Sequence, residues 1–213
     1  MIRPDPARGV FETIRVEQRR ASHLDDHLAR LRASVQELYG VELGDELDAI
    51  VAETLPTEPH DPCRMRVTAS STGVLQAELA PLGPAADPGP VPLAPWTVPG
   101  GLGPHKWADR RAVDEATERL GATPLIVDED GAVLEAAWGN VWAVEGDRLV
   151  TPPTDGRLLP GVTRARMLRT EPHAAEERLT LERLQDADVI VLTSALRGAV
   201  EARLQLRPQR PIT

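Results

Sequence analysis

The sequence predicts an α+β fold in two lobes, and three observations carry that reading. A strand, two helices and a hairpin follow one another at the start of the chain. A stretch rich in turn residues then intervenes, with eight of the 20 prolines and five of the 16 glycines lying in the 24 residues from Pro81 to Pro104. After it come short strand-like runs separated by acidic or glycine turns. These patterns place a small α/β lobe at residues 1–85, an ordered connector at 86–104 and a larger β-rich lobe with helices at 105–213.

Each element has a local cause. The run VFETIRV from Val10 to Val16 is rich in branched residues and partly alternates, which predicts a strand. Leu24, Leu28, Leu31, Val35 and Leu38 recur at three- and four-residue steps, Asp25 and Asp26 stand near the positive helix end, and Gly40 closes the helix. Asp45 to Leu55 reads as a second helix stopped by Pro56, and Arg64 to Ala69 and Val74 to Ala80 as a hairpin turned at residues 70–73. In the second lobe, Trp107 to Leu120 reads as a helix stopped by Gly121. Strands are predicted at Pro124 to Asp128, Ala132 to Ala137, Asn140 to Val144 and Arg148 to Thr151. Gly161 opens a helix through Leu168, Leu179 to Leu184 is helical, and Val189 to Thr193 is an apolar strand ending in hydroxyls.

Composition narrows the function classes. Acidic residues outnumber basic ones by 33 to 24, a formal charge of -9, which disfavours a nucleic-acid partner. A single cysteine, Cys63, excludes an intrachain disulfide or a multi-thiolate zinc site, and no metal site is expected. No apolar run approaches a membrane span and nothing near Met1 resembles a signal peptide, so a cytoplasmic location is expected.

The 24 basic side chains comprise 23 arginines and one lysine, Lys106. Arginine replaces lysine wherever a surface cation suffices, but it keeps its proton and forms no Schiff base. Lys106 is therefore a candidate nucleophile. Two further segments suit an anion: LPGVTR (159–164) opens a helix at Val162 and Thr163, and Thr193-Ser194 ends a buried strand with two hydroxyls. Arg30, beside the leucine stripe of the first helix, offers a bidentate cation. A lone amine with phosphate-type donors suggests a phosphorylated carbonyl cofactor.

The blocks GVFETIRV (9–16), HLARL (27–31), HKWADR (105–110), DEDGAVLEAAWGNVWAV (128–144), TPPTDGRLLPGVTR (151–164) and LTSALRG (192–198) occur in the order of a known family. In them the chain resembles the fold-type IV pyridoxal-phosphate enzymes, which include branched-chain and D-amino-acid aminotransferases and 4-amino-4-deoxychorismate lyase. The resemblance implies a second lobe curled into a pseudo-barrel and a pyridoxal 5'-phosphate cofactor bound to Lys106 as a Schiff base. It implies that Glu135 keeps the pyridine nitrogen protonated and that Arg30, Val162, Thr163, Thr193 and Ser194 hold the phosphate. Asn140 matches a family asparagine for which a structural hydrogen bond and a cofactor or substrate contact both stand open. Phe11 and Thr13 fall where the family lines its substrate pocket, although a strand core would use the same residues. Family aminotransferases often set a tyrosine by the phenolic oxygen of the cofactor; here the sole tyrosine, Tyr39, ends a helix, and Arg110 is the expected substitute.

The spacing Lys106-x-x-x-Arg110 resembles the lyase branch, so the expected reaction is removal of pyruvate from aminodeoxychorismate to give 4-aminobenzoate, a folate precursor. An aminotransferase acting on a branched-chain or D-amino acid is the alternative, and a non-catalytic homologue that binds the cofactor is a third. The substrate is a small carboxylated amine, with Arg64, Arg66, Arg110 and Arg197 all open as carboxylate receptors. A homodimer, and a functional link to an aminodeoxychorismate synthase, are expected by resemblance.

Overall fold

The structure, a computed structural model, describes residues 3–58, 62–83 and 89–205. The first residues of the expected connector, 86–88, lie outside the described residues. The chain forms two compact units.

The first unit takes in the described residues of Pro4–Ala86 together with His105–Arg110. A 3-10 turn, Pro6–Arg8, leads into β1 (Val10–Glu17), β2 (Arg20–Ala21), α1 (Leu24–Tyr39), α2 (Asp45–Thr54), β3 (Cys63–Ala69) and β4 (Leu75–Pro81). The strands form an antiparallel sheet in the order β2-β1-β3-β4. Val10, Ile14 and Val16 of β1 and Met65, Val67 and Ala69 of β3 share one buried cluster with the α1 stripe Leu28, Leu31 and Val35 and with Leu47 and Val51 of α2. Period two on the strands meets period 3.6 on the helices, which is why the sequence pattern located these elements. Gly40 adopts φ +66° and returns its N–H to the Gln36 carbonyl, a left-handed helix stop that a side chain would strain.

The helix predicted from Trp107 forms only over Arg111–Leu120, here α3. Trp107 instead makes an antiparallel bridge with Val10. The Phe11 N–H donates to the Lys106 carbonyl at 2.9 Å, and the Ala108 N–H donates to the Gly9 carbonyl at 3.0 Å. β2 pairs only with Val16 and Glu17, so the other end of that β1 edge remains for Lys106 to Ala108 to complete. Residues 105–110 therefore pack with the first unit, although the sequence pattern assigned them to the larger lobe.

The second unit holds the described residues of Asp87–Pro104 and Arg111–Thr213, with Arg3. Besides α3 it contains β5 (Val91–Thr97), β6 (Thr123–Val127), β7 (Val133–Ala136), β8 (Asn140–Glu145), β9 (Arg148–Thr151), α4 (Val162–Thr170), β10 (Ala174–Glu176), α5 (Leu181–Asp186), β11 (Val189–Ser194) and β12 (Gly198–Leu204). Its eight-stranded sheet runs β10-β9-β8-β11-β12-β5-β6-β7. One isolated bridge joins Val133 of the edge strand β7 to Leu179, just past β10 at the other edge. The sheet thus curls far enough for one edge strand to reach the segment that follows the other, in keeping with the pseudo-barrel that the family resemblance implies. Part of the expected connector is β5, an inner strand parallel to both neighbours despite Pro92 and Pro95. Two prolines in an interior strand run against the usual edge preference, and here the flanking Leu93 and Ala94 are buried in compensation.

Candidate functional site

Lys106 is half-buried, and the paired backbone of residues 106–108 fixes where its side chain starts. Its Nζ lies 5.0 Å from the centre of the Phe11 ring. The Arg66 guanidinium stacks on the same ring at 3.9 Å. Cross-strand register sets Arg66 opposite Thr13, so Phe11, Thr13, Arg66 and Lys106 form one neighbourhood. Burial, and then the charge of Arg64, pull the Arg66 guanidinium below its ordinary range, against the opposing effect of Glu78. Next to Lys106, His105 reaches Ser34 Oγ with Nδ1 at 3.1 Å and meets the Trp107 ring edge-on at 5.3 Å. Arg110 closes the same segment, half-buried. Tyr39 donates its hydroxyl to the Pro6 carbonyl at 2.7 Å, so it serves the amino-terminal turn.

Arg30 has a partner that the sequence reading missed. Its Nε and Nη2 donate to Glu12 Oε1 and Oε2, each at 2.7 Å, and His27 Nδ1 meets Glu12 Oε2 at 2.8 Å. Glu12 and His27 are each 1% exposed. The signal was present: Glu12 stands at an inward position of β1 between Val10 and Ile14, where an acid requires a partner. Burial pushes the Glu12 carboxyl up, but the charge of Arg30, the hydrogen bonds from His27 and Arg30 and the charge of His27 outweigh it and bring it down to about 2. A carboxyl depressed in the folded state stabilises above its ordinary value and loses that contribution as the pH falls. About 3 kcal/mol should therefore disappear between the ordinary value of 4.5 and about 2. Urea midpoints followed down this range should fall in the wild type, with that part of the slope missing in E12Q.

In the second unit, Glu135 and Asn140 converge on one residue. The Leu159 N–H donates to Glu135 Oε1 at 3.3 Å, and Asn140 Nδ2 donates to the Leu159 carbonyl at 2.9 Å. Glu135 is 7% exposed and Asn140 5%. Two residues further on, Gly161 is the N-cap of α4 and, being glycine, brings no side chain of its own to cap that helix. A Cβ on Gly161 would lie 1.9 Å from Asn140 Oδ1, so only glycine lets the loop approach the strand this closely. The first amides of α4, those of Val162 and Thr163, have no acceptor within the helix itself. Asn140 is also opposite Thr193 in the β8–β11 register. Trp142 Nε1 donates to Thr193 Oγ1 at 3.0 Å, which orients that hydroxyl. Ser194 Oγ accepts the Arg197 N–H at 3.3 Å, and the Arg197 guanidinium lies 4.3 Å from the Trp138 ring centre.

Of the two roles left open for Asn140, the structure displays the hydrogen bond that anchors the loop before α4. N140A should leave the Leu159 carbonyl without this donor and lower stability by about 1–2 kcal/mol, read as a drop in Tm. Leu159, Glu12 and His27 had no role assigned from the sequence, whereas Arg66 stood among the open carboxylate receptors. Among the described residues, no group of three or more His, Cys, Asp and Glu side chains is placed to hold a metal ion. None of the described helices is long and apolar enough to cross a membrane.

Residues 9–204 match the family model described as amino-transferase class IV. Similar folds occur in solved structures. A Mesorhizobium loti protein assigned as an amino-acid aminotransferase is 26% identical with a TM-score of 0.81, over 92% of this chain and 99% of its own. A Legionella pneumophila protein assigned as a 4-amino-4-deoxychorismate lyase is 23% identical with a TM-score of 0.76, over 97% and 87% of the two chains. A hypothetical aminotransferase of Mycobacterium tuberculosis in its PLP-bound form is 23% identical with a TM-score of 0.75, over 97% and 85%. No curated protein matches.

Proposed function

The chain belongs to the class IV amino-transferase family, which uses pyridoxal phosphate, and from that premise we propose that it is a 4-amino-4-deoxychorismate lyase, releasing pyruvate and leaving 4-aminobenzoate. The observation that carries the amine chemistry is the placement of the only lysine: a half-buried residue on a paired segment, with its Nζ 5.0 Å from the centre of an aromatic ring. The donor set suits a phosphorylated aldehyde, because the N-cap of α4 is a glycine, which brings no side chain of its own to the first amides of the helix.

In this reading Lys106 holds the cofactor, Glu135 faces its pyridine nitrogen, and Arg30, Val162, Thr163, Thr193 and Ser194 take its phosphate. Bound there, the cofactor supplies an electron sink that acidifies the substrate carbon bearing nitrogen. Lys106 Nζ takes the proton from that carbon. The C–O bond to the enolpyruvyl group breaks, that group leaves with a proton as pyruvate, and the remaining electron pair completes the aromatic ring. No external oxidant is needed, and the protein's main task is orientation. Phe11, Thr13, Arg110 and Asn140 border the substrate in the same reading. Two features support the lyase branch: the Lys106-x-x-x-Arg110 spacing, and a sole tyrosine engaged by Pro6.

The coverage of the Mesorhizobium protein favours a second reading, an aminotransferase built on the same residues. Purified protein incubated with aminodeoxychorismate should yield pyruvate and 4-aminobenzoate in equal amounts. Turnover only with an amino-acid donor and a keto acid would establish the second reading instead, and cofactor binding without either product would mark a non-catalytic homologue. A homodimer in the cytoplasm that works beside an aminodeoxychorismate synthase belongs to the same proposal.

A further inference from the structure

We propose that Glu12, backed by His27, is a positioning residue that aims Arg30 at the cofactor phosphate. The proposal rests on the reading of Arg30 as a phosphate ligand given above. Its own basis is the geometry of the buried trio. Glu12 takes the Nε–Nη2 edge of the guanidinium in a two-point fork at 2.7 Å on each side. A planar guanidinium held along one edge has its remaining N–H groups fixed in one plane and one direction. His27 then fixes the fork itself, with Nδ1 on the same carboxylate at 2.8 Å. The Arg30 side chain is 13% exposed and the Glu12 side chain 2%, so water does little to compete with this arrangement.

Two opposing effects decide the sign of the test. A carboxylate beside Arg30 offsets part of the positive charge, which weakens attraction for a phosphate. The same carboxylate removes the rotational freedom of a long side chain, which favours a phosphate because less ordering is left to do on binding. If charge dominates, neutralising Glu12 tightens phosphate binding. If orientation dominates, as proposed, neutralising it loosens binding. His27 Nε2 is buried with no hydrogen-bond partner among the described residues, as would be expected where geometry is kept at some expense to stability.

The test compares full-length protein stripped of cofactor in four forms: wild type, E12Q, E12D and R30A. Dissociation constants are measured for pyridoxal 5'-phosphate and for pyridoxal, which lacks the phosphate, by quenching of tryptophan fluorescence. E12Q should weaken the phosphorylated ligand about tenfold and change pyridoxal by less than about twofold. A general loss of structure would move both constants together, and that result overturns the proposal. E12D retains the charge but displaces the fork, and it keeps the test open if E12Q does not fold; it should also weaken the phosphorylated ligand selectively. Wild-type affinity in E12D, or tighter binding in E12Q, would show that the aim of Arg30 does not depend on Glu12. R30A separates the two levels of the argument. If R30A does not weaken pyridoxal phosphate selectively, the phosphate role of Arg30 fails and this proposal fails with it. If R30A does so while both Glu12 variants do not, only this proposal fails.

Discussion

Replacing Lys106 by arginine should lower turnover by about three orders of magnitude while leaving the fold intact. Arginine keeps the positive charge and much of the stem, so the contact with the Phe11 ring survives in outline. It cannot form the covalent link or take up a proton. The scarcity of lysine makes the experiment unusually clean. Lys106 is the only side-chain amine in the chain, so borohydride reduction of the cofactor-loaded wild type should add one pyridoxyl group, confined to the peptide containing Lys106. K106R should carry none there. Retained turnover in K106R, or a wild-type chain that takes no label, would remove the assignment. Because the substitution leaves the backbone pairing with β1 in place, its Tm should change little, which distinguishes lost chemistry from lost structure.

The second large effect is expected at Gly161. In G161A the new methyl group would be 1.9 Å from Asn140 Oδ1, well inside contact distance. Asn140 cannot simply swing away, because it is buried on β8 and its amide holds the Leu159 carbonyl. Either that hydrogen bond breaks or the loop before α4 moves. Stability should fall by about 2 kcal/mol. Affinity for pyridoxal phosphate should fall by at least about tenfold, because displacement of the loop carries the Val162 and Thr163 amides with it. The coupling can be measured. In an N140A background the clash is relieved, so the penalty of G161A should shrink and the two substitutions should fail to add. Additive losses would mean that some contact other than Asn140 constrains Gly161.

Much of the candidate site was legible before folding. Lys106 stood out because 23 of 24 basic residues are arginine, and Gly161 to Thr163 because a glycine before a helical run exposes amides. Residues whose partners are distant in sequence were less legible. Arg30 reads as a cation with an unspecified ligand until β1 and α1 come together and Glu12 claims one edge of it. Asn140 reads equally as a ligand or a strut until Leu159 arrives 19 residues later. Trp107 to Arg110 read as the start of a helix on local pattern, yet the open edge of β1 takes up the Lys106 carbonyl and the Ala108 amide in hydrogen bonds. The short strands β2 and β10, and β12 with its polar outward face, also escaped the pattern because they are defined by their neighbours.

The sequence by itself determined the periodic elements, the break between two kinds of architecture, and the supply of chemical groups: one amine, a glycine-led helix start, and paired hydroxyls at a strand end. These follow from local propensities and from composition, which need no knowledge of the fold. Tertiary structure alone decided how those groups are held. Pairing Glu12 with Arg30 and His27, drawing Lys106 onto β1, and seating Gly161 against Asn140 all depend on contacts between residues far apart in the chain. Burial sets the strength of such contacts by removing competing water, and no local stretch of sequence encodes burial.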